Sequence, residues 1–365
     1  MRNGFVEGRI LVVMQIIETI LIATLLLGFL VFIHEGGHFV VARAFRVRVT
    51  EFMIGFPGPN IGFTRKGTRF GITAVPLGGY AKVCGMLPKP EDPQFKEILG
   101  YVYDRGEATY QEVAQVFSLE EEEAFGLLEV LVDWGSLEHP TRRRMDNTYR
   151  TPQRGEIPCG TAYDVNDLDT FYKEEESQQY CSISFWKRVC ILAAGPLMNL
   201  IYAMLMFVII YSVLGVDIQN TTTGEIRHIV LNPLDSIVAG FRYIGTVIVA
   251  IVGLFNPATV AETVSNSTSI IGIAVLSRDA FEAGLVNILS FSAIISVSLG
   301  LMNLLPIPPL DGGRLLIEVI QKIIGRPVSV RVQNYLSTAG FLLFMLFFIV
   351  MVNQDIQRFI FGNWG

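Results

Sequence analysis

The chain of 365 residues is 51% hydrophobic and only 17% charged, with a mean hydropathy of +0.46 and a net charge of -6. This apolar content exceeds what one soluble core requires, and a membrane is its natural solvent. The four cysteines show no CxxC pairing and too low a density for a disulfide scaffold, so we expect reduced, structural thiols.

Four apolar runs are long enough to cross about 30 Å of hydrocarbon, which takes about 20 residues at helical rise. The first run is too long for a signal-peptide core and lacks a clear small-residue cleavage site, so we expect it to stay attached. The runs cover residues 10–33, 189–216, 285–310 and 336–352.

A fifth run, 237–255, contains Arg242 and three glycines. It could span the membrane, re-enter it or lie along its interface, and the central arginine weighs against spanning. The fold prediction is therefore an all-α polytopic membrane protein with about four transmembrane helices. Basic residues flank the gap between the first two spans and fill the gap between the last two, which predicts that both gaps are cytoplasmic.

The first run ends in a motif that predicts a metal site. His34 and His38 are four residues apart, so both imidazoles share one helix face and can bind one tetrahedral zinc ion. Glu35 can reach a water at the metal and act as general base, as in the HExxH signature of metalloproteases. Two chance histidines are the alternative, although the chain has only four. Gly36 and Gly37 each cost about 1 kcal/mol in a helix interior, so they either admit a close neighbour or loosen the site.

A catalytic zinc usually takes three protein ligands. Asp311 is the better candidate for the third, because His139 lies in a polar insert and His228 in a short loop on the opposite side. Three prolines precede Asp311, and such residues unwind backbone at membrane depth where it lines a cavity. An ordinary helix-ending turn is the alternative. One full span between the two motifs brings His34 and Asp311 to the same side.

These residues resemble the site-2 protease family of intramembrane zinc metalloproteases, and more closely its bacterial branch typified by the regulator of sigma-E protease. The resemblance covers roughly residues 10–85 and 186–360, and implies that His34, His38 and Asp311 bind Zn²⁺ while Glu35 is the base. Its motifs occur in the family's order at 34–38, 76–80 (Pro-Leu-Gly-Gly-Tyr), 194–199 (Ala-Gly-Pro-Leu-Met-Asn) and 303–313.

The resemblance also implies how substrate binds. Residues 70–83 are expected to form a re-entrant β-hairpin-like loop beside the site, whose edge strand holds an unwound substrate by strand addition. Gly78, Gly79 and Tyr80 are its candidate substrate-binding residues. Asn199 resembles the family residue that engages substrate near the scissile bond, with a helix–helix hydrogen bond as the alternative. Asn303 is a weaker candidate of the same kind.

The chain departs from that bacterial branch in three places. Between residues 216 and 235 there is room only for a short loop, where the branch usually carries one or two PDZ domains of about 90 residues. Ser298 stands where an asparagine is expected, and residues 267–272 lack the usual Gly-Pro. We therefore expect no PDZ screening of substrates, and altered substrate contacts on that side.

Residues 86–185 form an acidic insert with 9 Lys/Arg against 21 Asp/Glu. Apolar residues recur at helical spacing in three short segments, and a hairpin is expected across 142–147, a pattern that resembles a winged-helix module around 94–152. Its negative charge opposes phosphate contacts, so no nucleic acid is expected and a cytoplasmic protein partner or a structural role is favoured. Residues 164–176 predict a flexible tether.

The sequence thus predicts three parts: 1–85 with the first helix and the β-loop, 86–185 as the cytoplasmic insert, and 186–365 with the remaining spans and the aspartate motif. The predicted function is an intramembrane zinc endopeptidase of the inner (cytoplasmic) membrane, cutting membrane-spanning regulators or signal-peptide remnants near the cytoplasmic side. The alternative is a catalytically weak membrane scaffold or receptor that recruits a partner through the insert. A zinc or proton transporter would need polar residues through at least two facing spans, and the sequence has few.

Overall fold

A computed structural model describes residues 2–75, 78–140, 147–219, 225–265 and 267–362 of the chain. The chain is mostly helical, with small β-sheets between the helices. The helices are α1 (Arg2–Ala44), α2 (Phe95–Arg105), α3 (Tyr110–Phe117), α4 (Glu121–Asp133), α5 (Leu168–Ser177), α6 (Phe185–Val208), α7 (Pro233–Gly253), α8 (Val260–Ser265), α9 (Ile270–Glu282), α10 (Leu285–Asn303), α11 (Asp311–Ile324) and α12 (Val330–Asp355). The strands are β1 (Val49–Ile54), β2 (Asn60–Arg65), β3 (Thr68–Thr73), β4 (Gly79–Val83), β5 (Glu107–Thr109), β6 (Thr148–Arg150), β7 (Val216–Gln219) and β8 (Ile226–Ile229).

The membrane body follows the apolar runs of the sequence. Among the described residues, the helical segments long and apolar enough to cross a membrane are Val13–Ala44, Phe185–Leu214, Pro233–Gly253, Leu285–Asn303 and Val330–Phe359. Four of them contain most of the four predicted spans, and Pro233–Gly253 coincides with the fifth run. This helix is long and apolar enough to span the membrane, whereas Arg242 led us to expect that it re-enters the membrane or lies along its interface. The number of crossings therefore stays a prediction.

The segment after α1 differs from the predicted hairpin. Residues 49–83 form one four-stranded sheet in the order β2-β3-β1-β4, with β1 and β3 parallel. The predicted hairpin over 70–83 is wrong in its pairing, because β1 lies between β3 and β4 and pairs antiparallel with β4. Phe52 and Met53 of β1 point to opposite faces of the sheet and both are buried, as expected for an inner strand that is covered on both faces.

The insert has its own apolar core. The residues predicted at helical spacing in α2 and α4, among them Ile98, Leu99, Leu128 and Leu131, are fully buried around Trp134. β5 pairs antiparallel with β6, and an isolated bridge joins Glu138 to Arg150. Most of the hairpin expected across 142–147 lies outside the described residues.

The predicted tether differs from the structure. Residues 168–177 form α5, which begins at the N-cap Asp167, packs on α2, and carries the buried Glu175. Arg48, just before β1, donates two hydrogen bonds to the Glu175 carboxylate at 2.8 and 2.9 Å. Arg154 donates a third at 2.7 Å and Ser136 a fourth at 2.5 Å. The acidic composition that suggested a tether therefore includes a carboxylate with two cationic partners.

The environment of Glu175 predicts that docking of the insert, meaning its contact with the start of β1 through Arg48, depends on pH. Burial alone would raise the pKa of Glu175, but the hydrogen bonds and positive charges of Arg48 and Arg154 lower it from an ordinary 4.5 to about 2. A carboxylate with a lowered folded-state pKa stabilises the fold above its unfolded pKa. Docking should therefore be fully stabilised above about pH 4.5 and weaken as the pH falls from there towards 2.

Fluorescence of Trp134 measures this effect in a chain whose two other tryptophans are replaced by phenylalanine. We expect its emission to shift to longer wavelength between about pH 4.5 and 2. Glu175→Gln should lose the transition in this window, because the substituted residue does not titrate. An identical transition in Glu175→Gln would contradict the assignment.

Candidate metal centre

Helix α1 brings two imidazoles together inside the protein. His34 and His38 occupy one face of α1, are 6% and 8% exposed, and their Nε2 atoms are 3.4 Å apart. The approach of α6 to this face depends on two glycines. A Cβ on Gly37 would lie 2.5 Å from the Ala194 carbonyl oxygen, and a Cβ on Gly195 would collide with both imidazoles. Gly37 therefore admits a close neighbour, one of the two alternatives from the sequence, whereas a Cβ on Gly36 would meet no atom within 4 Å.

Asp311 reaches the same point from the other end of the chain. Its Oδ2 lies 3.0 Å from Nε2 of His34 and 3.2 Å from Nε2 of His38. Metal–ligand bonds of about 2.0–2.1 Å to a tetrahedral zinc ion imply ligand separations of about 3.3 Å. The three observed separations, 3.0, 3.2 and 3.4 Å, are close to that value. The site therefore fits a zinc ion and leaves a fourth direction for water or substrate.

The loop before Asp311 fixes the direction of the carboxylate. Asp311 is the first residue of α11, and residues 304–310 turn through three prolines after α10 ends at Asn303. A Cβ on Gly313 would lie 2.5 Å from the Ile307 carbonyl carbon, and one on Gly340 of α12 would collide with the Pro308 carbonyl oxygen. The loop is thus held between α11 and α12.

Hydrogen bonds behind the imidazoles orient their ring nitrogens. His38 Nδ1 donates to the Ile191 carbonyl oxygen at 2.7 Å, which leaves its Nε2 lone pair directed at the site. The side-chain amide of the fully buried Asn199 lies 3.1 Å from His34 Nδ1, and its Oδ1 has no hydrogen-bond partner among the residues that the structure describes. Turning this amide over presents Oδ1 to the Nδ1–H of His34 and satisfies both groups.

Glu35 lies beside the three residues but is held by the sheet. Its Oε2 accepts a hydrogen bond from the backbone N–H of Ala81 in β4 at 3.0 Å. Gly79 lies against the same side chain, where an added Cβ would be 3.6 Å from Glu35 Cγ and 2.9 Å from the Met53 carbonyl oxygen. The edge strand and the carboxylate are therefore in direct contact.

The other predicted substrate residues each have a partner or position of their own. Gly78 has a φ of 86° at the start of β4, and the Tyr80 hydroxyl donates to Glu51 of β1 at 2.7 Å. Asn303 donates to the Leu299 carbonyl oxygen within α10. Asn199 lies behind His34 and is fully buried.

Two features of the site were not found from the sequence. The Ala81 N–H is a backbone group, so no residue type signals it. Gly195 could have been found, because a glycine beside Pro196 inside a transmembrane run indicates close approach of another element. The remaining histidines lie elsewhere, His139 against Glu129 of the insert and His228 against Asp217 of the β7–β8 hairpin.

Comparisons with known proteins agree with this geometry. A model of peptidase family M50 matches residues 22–347. The chain is 26% identical to the zinc metalloprotease RasP of Bacillus licheniformis, over 93% of this chain and 99% of that protein. It is 24% identical to the regulator of sigma-W protease RasP of Bacillus subtilis (94% and 99%), and 27% identical to a putative zinc metalloprotease of Clostridium acetobutylicum (92% and 97%).

The position of Asn199 predicts an effect on metal affinity. Asn199→Leu keeps the branched shape of the side chain but removes the acceptor for His34 Nδ1, and loss of such a partner typically weakens metal binding about 10–100-fold. We expect a weaker zinc Kd in competition with a chelator, measured on the purified protein. Ser292→Ala is the control, because its hydroxyl bonds Tyr202 away from the imidazoles. An unchanged zinc Kd in Asn199→Leu would contradict the orienting role.

Proposed function

This chain belongs to peptidase family M50, the site-2 protease family, and from that premise we propose that it cuts membrane-spanning proteins within or beside their transmembrane segments. It is a zinc metalloprotease with several membrane-spanning helices. The observation that carries the proposal is the meeting of Nε2 of His34, Nε2 of His38 and Oδ2 of Asp311 at tetrahedral separations, with the Glu35 carboxylate beside them.

We assign the zinc ligands to His34, His38 and Asp311 and the general base to Glu35. Zinc, when bound, supplies the Lewis acid for hydrolysis of a peptide bond. Glu35 takes a proton from the attacking water on a carboxylate oxygen, and later gives it to the leaving amine nitrogen. Asn199 keeps His34 oriented from behind, so its proposed role changes from engaging substrate to positioning a ligand.

We propose that substrate binds as an added strand on β4. On its other edge β4 pairs with β1, as shown by the bonds from Gly55 N–H to the Gly78 oxygen and from Cys84 N–H to the Arg48 oxygen. Gly79, Ala81 and Val83 therefore point their backbone groups away from β1, towards α1 and Glu35. A transmembrane helix must unwind before its peptide bond is accessible, and an edge strand holds the unwound form. Gly78, Gly79 and Tyr80 would line this strand, with Asn303 as a further candidate.

The substrate class follows from the same placement together with the relatives. The Bacillus subtilis relative is named for regulating sigma-W. We propose that this chain likewise performs regulated intramembrane proteolysis, on a membrane-tethered regulator such as an anti-sigma factor or on signal-peptide remnants. The connection between α6 and α7 contains the short β7–β8 hairpin, which agrees with substrate selection without a PDZ domain at this position.

We propose four full crossings in the cytoplasmic (inner) membrane, with the site near the cytoplasmic side. Ser236 of α7 contacts Ser212 at the end of the α6 segment at 2.7 Å, so α7 starts on the outer side. Helix α9 is about 20 Å long, too short to cross. Its N-cap Ser269 bonds Asp355 at the outer end of α12, which supports an outer-side position. With α9 on that side, α7 and the residues after it would enter and leave the membrane from outside.

We propose that the insert is a cytoplasmic winged-helix-like module whose partner is a protein. The order α2, β5, α3, α4, β6 supports this arrangement. Four consecutive glutamates, Glu120 to Glu123, stand at the start of α4, the helix that such modules use for DNA. Nucleic acid remains an unexpected partner for this reason.

Replacing Glu35 tests the chemistry. Glu35→Gln keeps the size of the side chain but removes the base, so we expect cleavage of a membrane-spanning model substrate in detergent to fall by about 10²–10⁴-fold. Bound zinc should stay at the wild-type ratio, and chelation of zinc should abolish cleavage. Activity that survives Glu35→Gln or zinc removal would refute the mechanism. Full zinc with no cleavage of any spanning substrate by the wild type would favour the scaffold alternative.

Cysteine labelling tests the orientation. Cys159 is exposed on the insert, so in a chain without the other three cysteines a membrane-impermeant maleimide should label it only in inverted vesicles. Arg227→Cys in a cysteine-free chain is the matched control, since it places the thiol on the outer β7–β8 hairpin. Labelling of both positions from the same side would contradict the proposed topology.

A further inference from the structure

The insert is joined to the sheet at its base by more than its two covalent connections. The backbone N–H of Arg48 donates to the Gln178 oxygen at 2.8 Å, and the N–H of Tyr180 donates to the Cys84 oxygen at 2.9 Å. Gly85 and Asp133 are joined by a third backbone bond of 3.1 Å. Residues immediately before β1 and after β4 are therefore bonded to residues on both sides of the insert's core.

The contact is close as well as hydrogen-bonded. A Cβ added to Gly85 would lie 2.5 Å from Gln179 Cβ, and one added to Gly135 would lie 2.8 Å from Thr50 Cγ2. Thr50 is where the β1–β4 register is irregular, between the pairs Val49 with Val83 and Glu51 with Lys82. Such an irregularity bends a strand and re-aims its neighbours, so a body packed against it helps to set the register of the pair.

Glu175 joins this contact to the insert's interior. Its carboxylate is 2% exposed and accepts both bonds from Arg48, while Arg154 and Ser136 approach it from the insert. A buried carboxylate with two guanidinium partners is costly to disrupt, because removing its charge leaves those cations without their counter-ion. The network therefore acts as a single clamp between the insert and the start of β1.

The clamp lies close to the catalytic base along β4. Cys84, at the insert, and Ala81, which bonds Glu35, are three residues apart, or about 10 Å of extended strand. Within the described part of the chain, β1 is the one strand that pairs with β4, so the position of β4 depends on β1, on α1 and on what holds its end. A shift at residue 84 would move the Ala81 N–H relative to Glu35.

We propose that the insert is a positioning module: through Glu175 and Arg48 it holds the base of the β1–β4 pair, and so places the edge strand that receives substrate beside Glu35. This inference rests on the proposed protease function and deepens it. Glu175 and Arg48 act through β4 and are positioning residues. A protein that binds the insert could thereby alter substrate binding without touching the metal site.

Glu175→Gln in the full-length protein tests the proposal. We expect zinc content to stay at the wild-type ratio, amide hydrogen exchange in 79–83 to speed up at least about tenfold, and KM for a membrane-spanning substrate to rise about tenfold with a smaller change in kcat. Glu176→Gln is the matched control, because this neighbouring carboxylate pairs with the surface residue Lys89, so its loss should change neither measurement.

Arg48→Lys provides a second variant that keeps the charge but loses the two parallel bonds, and we expect a smaller change of the same kind. Faster exchange within 95–133 with unchanged exchange in 79–83 and unchanged KM would overturn the proposal, since the insert would then be independent of the strand. Unfolding of Glu175→Gln would leave Arg48→Lys to decide by the same two measurements. If the wild type cleaves nothing, the proposed function fails, whereas the exchange measurement still tests the positioning of β4.

Discussion

The three proposed ligand atoms come from two distant parts of the chain and must meet at separations of 3.0 to 3.4 Å, and much of the membrane body is arranged around this requirement. Two of the atoms are on α1, so the third must be carried to them by the end of α10 and the start of α11. Helix α6 packs directly against the two imidazoles, and Gly195 allows this close approach because it has no side chain there. A buried set of two imidazoles and a carboxylate is expensive in a membrane unless a cation binds it, so geometry and energetics favour the same conclusion.

The same requirement explains why the site is fixed from several sides. Ile191 and Asn199 of α6 orient the two imidazoles, and the loop before Asp311 is enclosed by α11 and α12. Glu35 is oriented by a strand, through the Ala81 N–H. A base held by the strand that is proposed to receive substrate links substrate binding to catalysis through one hydrogen bond. The insert lies at the other end of that strand.

The candidate metal ligands could be predicted from the sequence. The spacing of His34 and His38 put them on one helix face, and the position of Asp311 at the end of a span, after three prolines, made it the candidate third ligand, which the structure brings to them. The roles of the candidate substrate-binding residues were harder to predict. Asn199, a lone amide in an apolar span, resembled a substrate residue, with a helix–helix hydrogen bond as the alternative, and the structure places it against His34 of α1 at 3.1 Å. Its orientation depends on how α6 turns against α1, which sequence periodicity does not define.

The strand order of the sheet and the structure of residues 164–176 were also not predictable from the sequence. The family resemblance implied a hairpin over 70–83, yet β1 lies between β3 and β4, and its apolar residues are buried there. Residues 164–176 looked like a tether because their acidic residues were counted as solvated. Glu175 is instead neutralised by Arg48, more than one hundred positions away, and a composition window does not include such a partner.

X-ray absorption spectroscopy of the zinc-loaded protein identifies the atoms that bind the metal. We expect one zinc per chain, with two imidazoles and oxygen donors at about 2.0–2.2 Å, and in Asp311→Ala we expect loss of the oxygen donor that the aspartate supplies, with both imidazoles retained. A sulfur shell near about 2.3 Å, or a spectrum without imidazole scattering, would contradict it.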